Sequence, residues 1–212
     1  MTKKTDRRQV RTKLLLRKAL LELLARQSAD TITVTDIAAR ADVNRGTFYL
    51  HYSDVPDMLE QLQNEVFQHI ERSVIRLDPQ ELSRYAASNA PYPPIIAIFE
   101  EIARHADFLK PMLGTYGDLS FAIRLRQMIG AHIFKKLDII LPQTNETAVP
   151  RDYLIAYMTS ANLGVLLHWL ENDMQQTPHQ LSVMLTQILN NGPLAAAGLK
   201  ETSLSAPRKT PE

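Results

Sequence analysis

The sequence contains no cysteine. Disulfide scaffolds, thiol catalysis, cysteine-zinc sites and iron–sulfur clusters are therefore excluded. Glycine is scarce, at seven in 212 residues, and neither G-x-G-x-x-G nor a P-loop occurs. H-E-x-x-H and G-x-S-x-G are missing as well, so nothing in the chain points to an enzyme. No run of 18 apolar residues exists, and no membrane span is expected. The N-terminus is charged but lacks the apolar stretch of a secretory signal. A cytoplasmic protein without a cofactor is the simplest expectation.

Net charge is also close to absent, at +1. That value is a cancellation. Residues 1–52 hold eleven basic and five acidic side chains, a net of +6. The remaining 13 basic and 18 acidic side chains leave −5 on residues 53–212. A basic head on an acidic body points to a polyanion as the partner of the head. A solvated N-terminal arm would give the same count.

What the chain does have is helical periodicity from end to end. Leu16, Leu20, Leu23 and Leu24 form one stripe of a first helix over 7–27. Thr33 and Asp36 stand at capping-box spacing ahead of a short helix over 34–41. A turn at Asp42-Val43 leads to Asn44, which can cap a helix over 45–51 with Phe48 inside. Ser53 is expected to cap a long helix over 54–77. Four prolines make 78–94 a linker with a short helix at 80–88. Further helices are predicted over 94–105, 107–114, 118–140, 151–174 and 179–191. The chain past Gly192 is expected to be disordered. The fold class is thus all-α, with a head over 1–53, a body over 54–192 and a tail over 193–212.

A longer helix followed by two short ones around a tight turn is a helix-turn-helix candidate. Residues 33–59 read TVTDIAARADVNRGTFYLHYSDVPDML. This string closely resembles the DNA-binding domain of the TetR/AcrR family of one-component regulators, through Asp36-Ile37-Ala38 and Gly46-Thr47-Phe48-Tyr49. The resemblance covers about residues 10–60. It implies an N-terminal three-helix DNA-binding domain and a C-terminal helical bundle for ligand binding and dimerisation.

The residues fit double-stranded DNA as the partner. Arg45 is long enough to reach a base edge, such as guanine O6/N7. Gly46 allows close approach to the groove. Thr47 can meet a phosphate or a thymine methyl. Tyr49 and His51 follow two and four residues after Thr47, in reach of phosphates, as is Thr35. Asn44 caps the same helix. Lys3, Lys4, Arg7, Arg8 and Arg11 can form an arm on the DNA backbone or in the minor groove. Tyr52 reads as packing beneath the helix.

Three positions depart from the family pattern. Its turn glycine is Asp42 here, and asparagine and aspartate tolerate the left-handed conformation better than most residues. Its capping serine is Asn44. The lysine usual at the start of the fourth helix, which in the family commonly contacts phosphate, corresponds to Val55. One ion contact fewer implies a shallower salt dependence.

The body is similar to the C-terminal helices of a TetR subgroup that includes regulators of dihydroxyacetone metabolism. That likeness implies a homodimer built from the last two helices of each subunit. Ala161 and Gly164 would permit close helix approach, and Leu181, Met184, Leu185 and Ile188 form an apolar stripe. Phe108, Met112, Tyr116, Phe121, Met128, His132, Tyr153 and Tyr157 are the candidates for lining an effector cavity, with Phe134 and Trp169 as further large side chains. Ordinary core packing is the alternative for each of them. His105, His132 and His168 show no close ligand spacing with carboxylates, and no metal site is expected. The leading expectation is a dimeric repressor released from a pseudo-palindromic operator by a small molecule. The alternative is a coregulator of the same fold controlled by a partner protein.

Overall fold

The computed structural model describes residues 2–88, 90–140 and 149–199, without the side chains of residues 2–6, 137, 139 and 140. The described residues form ten α-helices and no strand. The head consists of α1 (Thr2–Leu24), α2 (Val34–Arg40) and α3 (Arg45–Tyr49). A single 3-10 turn, Ala29–Thr31, stands between α1 and α2. The body follows with α4 (Val55–Val74), α5 (Pro79–Ala87), α6 (Pro93–Arg104), α7 (Ala106–Leu113), α8 (Leu119–Ile140), α9 (Arg151–Glu171) and α10 (Pro178–Ala196).

Local chemistry sets most of the boundaries. The Thr33 Oγ1 accepts from the Asp36 amide while Asp36 accepts from the Thr33 amide, completing a capping box. Asp42 closes the turn at φ 52°, the left-handed conformation for which glycine is the usual choice. The Asn44 side chain accepts from the Gly46 amide at 2.8 Å and starts α3. The cap of α4 is Asp54 rather than the expected Ser53. Its carboxylate accepts from the Asp57 amide at 2.7 Å, while the Ser53 amide donates to Asp57. Asp78 caps α5 by accepting from the amides of Gln80 and Glu81.

The helix α1 starts at Thr2, five residues before the expected start. The basic arm is thus a helical extension. At the other end, Gly192 takes φ 76° and breaks α10, but residues 193–196 add a further helical turn instead of the irregular chain expected there. Residues 200–212 of the tail lie outside the described residues.

The core is continuous. Leu16, Leu20, Ile37 and Phe48 of the head meet Val55, Met58 and Leu62 of α4 in one apolar cluster. The same cluster runs on through Val66, Ile70, Phe99, Phe108, Phe121 and Trp169 to Leu185. Helix α4 therefore belongs to both halves, packing on α6 and α8 below the head. Arg17 adds a polar tie, with its guanidinium 3.3 Å from Asp107 of α7 and 3.9 Å from Glu65 of α4. Among the described residues no helix is long and apolar enough to cross a membrane.

Candidate nucleic-acid interface

Thr35, Asn44, Arg45, Gly46 and Tyr49 are exposed on one side of the head, and Thr47 and His51 are half-buried beside them. The backing is rigid. Phe48 is fully buried, with Tyr49 edge-on at 5.7 Å and Tyr52 tilted at 5.7 Å. Tyr52 packs beneath the helix, as its position suggests, with the Lys13 ammonium 5.7 Å above its ring. Burial raises the Tyr52 phenol above its ordinary range.

The polar side chains are also held. The Arg45 guanidinium donates to the Thr35 hydroxyl. Burial, with Lys13 nearby, lowers the His51 imidazole below its ordinary value, so it is neutral at pH 7. The hydrogen bonds from Thr33 hold the Asp36 carboxyl below its usual range, so the capping box is charged at neutral pH. At Gly46, an added Cβ would meet only the Asn44 Oδ1, at 3.5 Å. The fold therefore places no demand for glycine there.

Arg7, Arg8 and Arg11 are exposed along α1. The side chains of Lys3 and Lys4 lie outside the described residues. Leu50, at the C-cap of α3 and 80% exposed, is a position that sequence reasoning passed over. Val55 is buried at the start of α4, its side chain inside the core shared by head and body.

The body contains an apolar cavity of about 110 Å³, lined by residues of α5, α6, α8, α9 and α10. Leu82, Ile98, Phe99, Leu163 and Leu189 make its apolar wall, and Arg126, Thr159 and Asn162 bring polar atoms. The Thr159 hydroxyl is already spent on the Ile155 carbonyl at 2.7 Å. Arg126 and Asn162 have no side-chain partner among the described residues.

None of the eight side chains expected from sequence lines this cavity. Phe108, Met112 and Phe121 are fully buried elsewhere, with Phe121 against Phe108 and against Phe67 of α4. Met128 is half-buried, and the His132 Nε2 lies 3.2 Å from the Leu77 carbonyl, beside the cavity wall. Tyr116, Tyr153 and Tyr157 are exposed, as is Phe134. Trp169 is core, edge-on to Phe99, with its indole N–H donating to the Gln176 carbonyl. Arg126 and Asn162 went unnoticed because a polar residue on an amphipathic helix carries no sign of what it faces.

The six side chains expected at a dimer interface divide in two. Leu181 and Leu185 are buried inside the subunit. Ala161, Gly164, Met184 and Ile188 are exposed, and an added Cβ at Gly164 would meet nothing within 4 Å. Tyr153, Tyr157, Ala161 and Gly164 recur at four-, four- and three-residue steps and share one face of α9.

Comparison with known proteins is consistent with both halves. A family model described as bacterial regulatory proteins, tetR family, matches residues 16–62. A second, described as transcriptional regulator C-terminal region, matches residues 89–191. The uncharacterized HTH-type transcriptional regulator YxbF of Bacillus subtilis (strain 168) is 26% identical over 196 residues, which are 89% of this chain and 47% of that protein. The chain thus spans about half the length of that curated relative. A TetR transcriptional regulator from Streptococcus agalactiae 2603V shares the fold at TM-score 0.57 and 22% identity, over 87% of this chain and 97% of that one. With the tetR-family model on its head and the transcriptional-regulator model on its body, the chain belongs to the TetR family of bacterial regulatory proteins.

Proposed function

We propose that the chain is a homodimeric repressor that binds a pseudo-palindromic operator and is released by a small-molecule effector. The observation that carries this reading is the exposed set Thr35, Asn44, Arg45, Gly46 and Tyr49, mounted on the buried Phe48 and Tyr52. Arg45 reads a base edge, while Thr35, Tyr49, His51 and the arm residues Lys3, Lys4, Arg7 and Arg8 engage the backbone. Two heads related by a two-fold axis would meet half-sites roughly 34 Å apart. In this reading the head ends at residue 53 and the body spans 54–192. Operator binding sets the protein's workplace in the cytoplasm.

The outer face of α9 supports the dimer. This helix is apolar inside, at Ile155, Leu166 and Trp169, and apolar outside, at Tyr153, Leu154 and Tyr157. A helix apolar all round belongs in a core. Met184 and Ile188 extend the exposed apolar surface onto α10.

The effector would be a small, mainly apolar molecule with one anionic or hydrogen-bonding end, which Arg126 and Asn162 receive. At about 110 Å³ the cavity must widen to admit it, since pockets for drug-sized ligands measure roughly 300–1,000 Å³. Widening displaces α6 and α8, and both pack on α4. Gln63 of α4 hydrogen-bonds Arg124 of α8, and Arg17 ties α1 to α7, so the displacement reaches the head. A coupling of about 1–3 kcal/mol is sufficient to release DNA.

Fluorescence anisotropy with DNA flanking the protein's own gene tests the reading. Salt-sensitive, sequence-dependent binding by a dimer is expected, and binding that ignores sequence would sink it. The small cavity and the buried Val55 favour the second reading, a coregulator of the same fold controlled by a partner protein. A stoichiometric partner in pull-downs, with no small-molecule change in melting temperature, would select it.

A further inference from the structure

Away from the DNA-facing surface and the cavity, three metal-ligating side chains converge at the corner between α6 and α7. They are His69 of α4, Glu101 in the last turn of α6, and His105 between α6 and α7. The His69 Nδ1 lies 3.3 Å from the Glu101 Oε1, and the His105 Nε2 lies 3.0 Å from the same oxygen. All three ligand atoms fall within 4.8 Å of one another. The sequence expectation that His105, His132 and His168 lack close ligand spacing with carboxylates is corrected at His105, because Glu101 and His105 are one helical turn apart.

We propose that His69, Glu101 and His105 form a binding site for a divalent transition-metal cation of the zinc class. Two imidazoles and a carboxylate are the borderline nitrogen and oxygen donors that such ions take. Ligand atoms at about 2.1 Å from a tetrahedral zinc stand roughly 3.4 Å from each other. The His69 separation of 3.3 Å is already near that value, and the His105 separation of 3.0 Å is somewhat shorter. The two imidazole nitrogens lie within 4.8 Å of each other, and the ion would draw them closer.

The surroundings suit a metal site as well. Glu101 is buried, its side chain 8% exposed. A buried carboxylate needs a charged partner and further donors for its remaining lone pairs. Arg104 supplies the charge, donating to Oε2 at 2.7 Å, and it fixes the carboxylate as an outer-shell partner would. Oε1 is left to the two imidazoles. His69 is 40% exposed and His105 13%, so one side is open for entry of the ion and for a water as fourth ligand.

The cation would join α4 to the α6–α7 corner. Asp107, the partner of Arg17 in the head, lies two residues beyond His105. The ion would therefore fix the part of the body that touches α1. The site itself stands independently of any effector or operator.

Calorimetric titration of the purified full chain with zinc chloride tests the proposal, with His69→Ala, His105→Ala and Glu101→Gln alongside. One equivalent per chain is expected in the wild type. Each variant should weaken binding by at least the roughly 10–100-fold that loss of an outer-shell partner brings. His168→Ala, an exposed histidine outside the group, should change nothing. Zinc should also raise the melting temperature of the wild type and leave that of His69→Ala unmoved. His69 is the most exposed of the three, so this variant keeps the test available if substitutions at Glu101 or His105 impair folding. Zinc binding of equal strength in the wild type and His69→Ala, or none in the wild type, overturns the proposal.

Discussion

The Arg45 guanidinium donates a hydrogen bond to the Thr35 hydroxyl and so joins the first residue of α3 to the first turn of α2. Both residues lie on the exposed side of the head. The bond holds a long side chain near the position where a base edge would meet it, which lowers the entropy lost on binding. Arg45→Ala should therefore relax discrimination at one base-pair position by about 1–3 kcal/mol. Thr35→Val, which frees Arg45 and removes a phosphate contact, should weaken all sequences and relax discrimination by less than Arg45→Ala does. Competition anisotropy with single-base operator variants separates the two effects. Unchanged discrimination in Arg45→Ala would remove this residue from base reading.

Gly46 offers a cleaner separation of folding from function. Its missing Cβ would meet only the Asn44 side chain, at ordinary contact distance. Alanine is also a better helix former than glycine by about 1 kcal/mol. Gly46→Ala should thus fold with equal or greater stability in chemical denaturation. Its DNA affinity should fall, because the added methyl would point into the groove. Loss of stability without loss of affinity would show that glycine is there for the fold.

Asp42 occupies the left-handed conformation at φ 52°. Aspartate tolerates this better than most residues, but glycine has no Cβ to clash. Asp42→Gly should stabilise the head by about 0.5–1 kcal/mol, read as a higher denaturation midpoint. The gain is the net of strain relieved and flexibility added to the unfolded chain. A lower midpoint would mean that the Asp42 side chain contributes more than its backbone costs.

The head was legible in the sequence because its signals are local. Thr33 and Asp36 stand three residues apart, Asn44 precedes α3 directly, and Asp42 sits where a turn must reverse the chain. Each of these is decided within a few residues. The body was less legible because its decisions are tertiary. Tyr153 and Tyr157 have the same period as Ile155 and Thr159, and nothing local says which face of α9 turns inward. Arg126 and Asn162 become cavity residues only when α8 and α9 meet. The spacing of Glu101 and His105 was readable, but its meaning depends on His69, which arrives from another helix.

Val55 is buried at the start of α4, where the family resemblance implies a phosphate-contacting lysine. A lysine stem can follow the path of the valine and carry its ammonium out to solvent. Val55→Lys should therefore strengthen DNA binding for all sequences. The slope of log affinity against log salt should steepen by about 0.9, the value for one added phosphate contact. A milder salt slope or a collapsed fold would show that the core cannot release the lysine head.

His51 gives a pH dependence with two opposite signs. Burial, followed by the charge on Lys13, lowers its imidazole below the ordinary value of about 6.5. In the unfolded chain His51 takes up its proton first as pH falls. Its contribution to stability is thus fully present above about pH 6.5 and is lost as pH drops toward the lowered folded value. A phosphate beside the ring would act the other way, favouring the imidazolium in the DNA complex. Operator affinity should rise as pH falls from 7.5 to about 6, while the melting temperature of the free protein falls. His51→Gln should flatten the His51 share of both trends. Anisotropy and thermal melting over the same pH series measure the two together. An affinity trend that survives in His51→Gln would place the titrating group elsewhere.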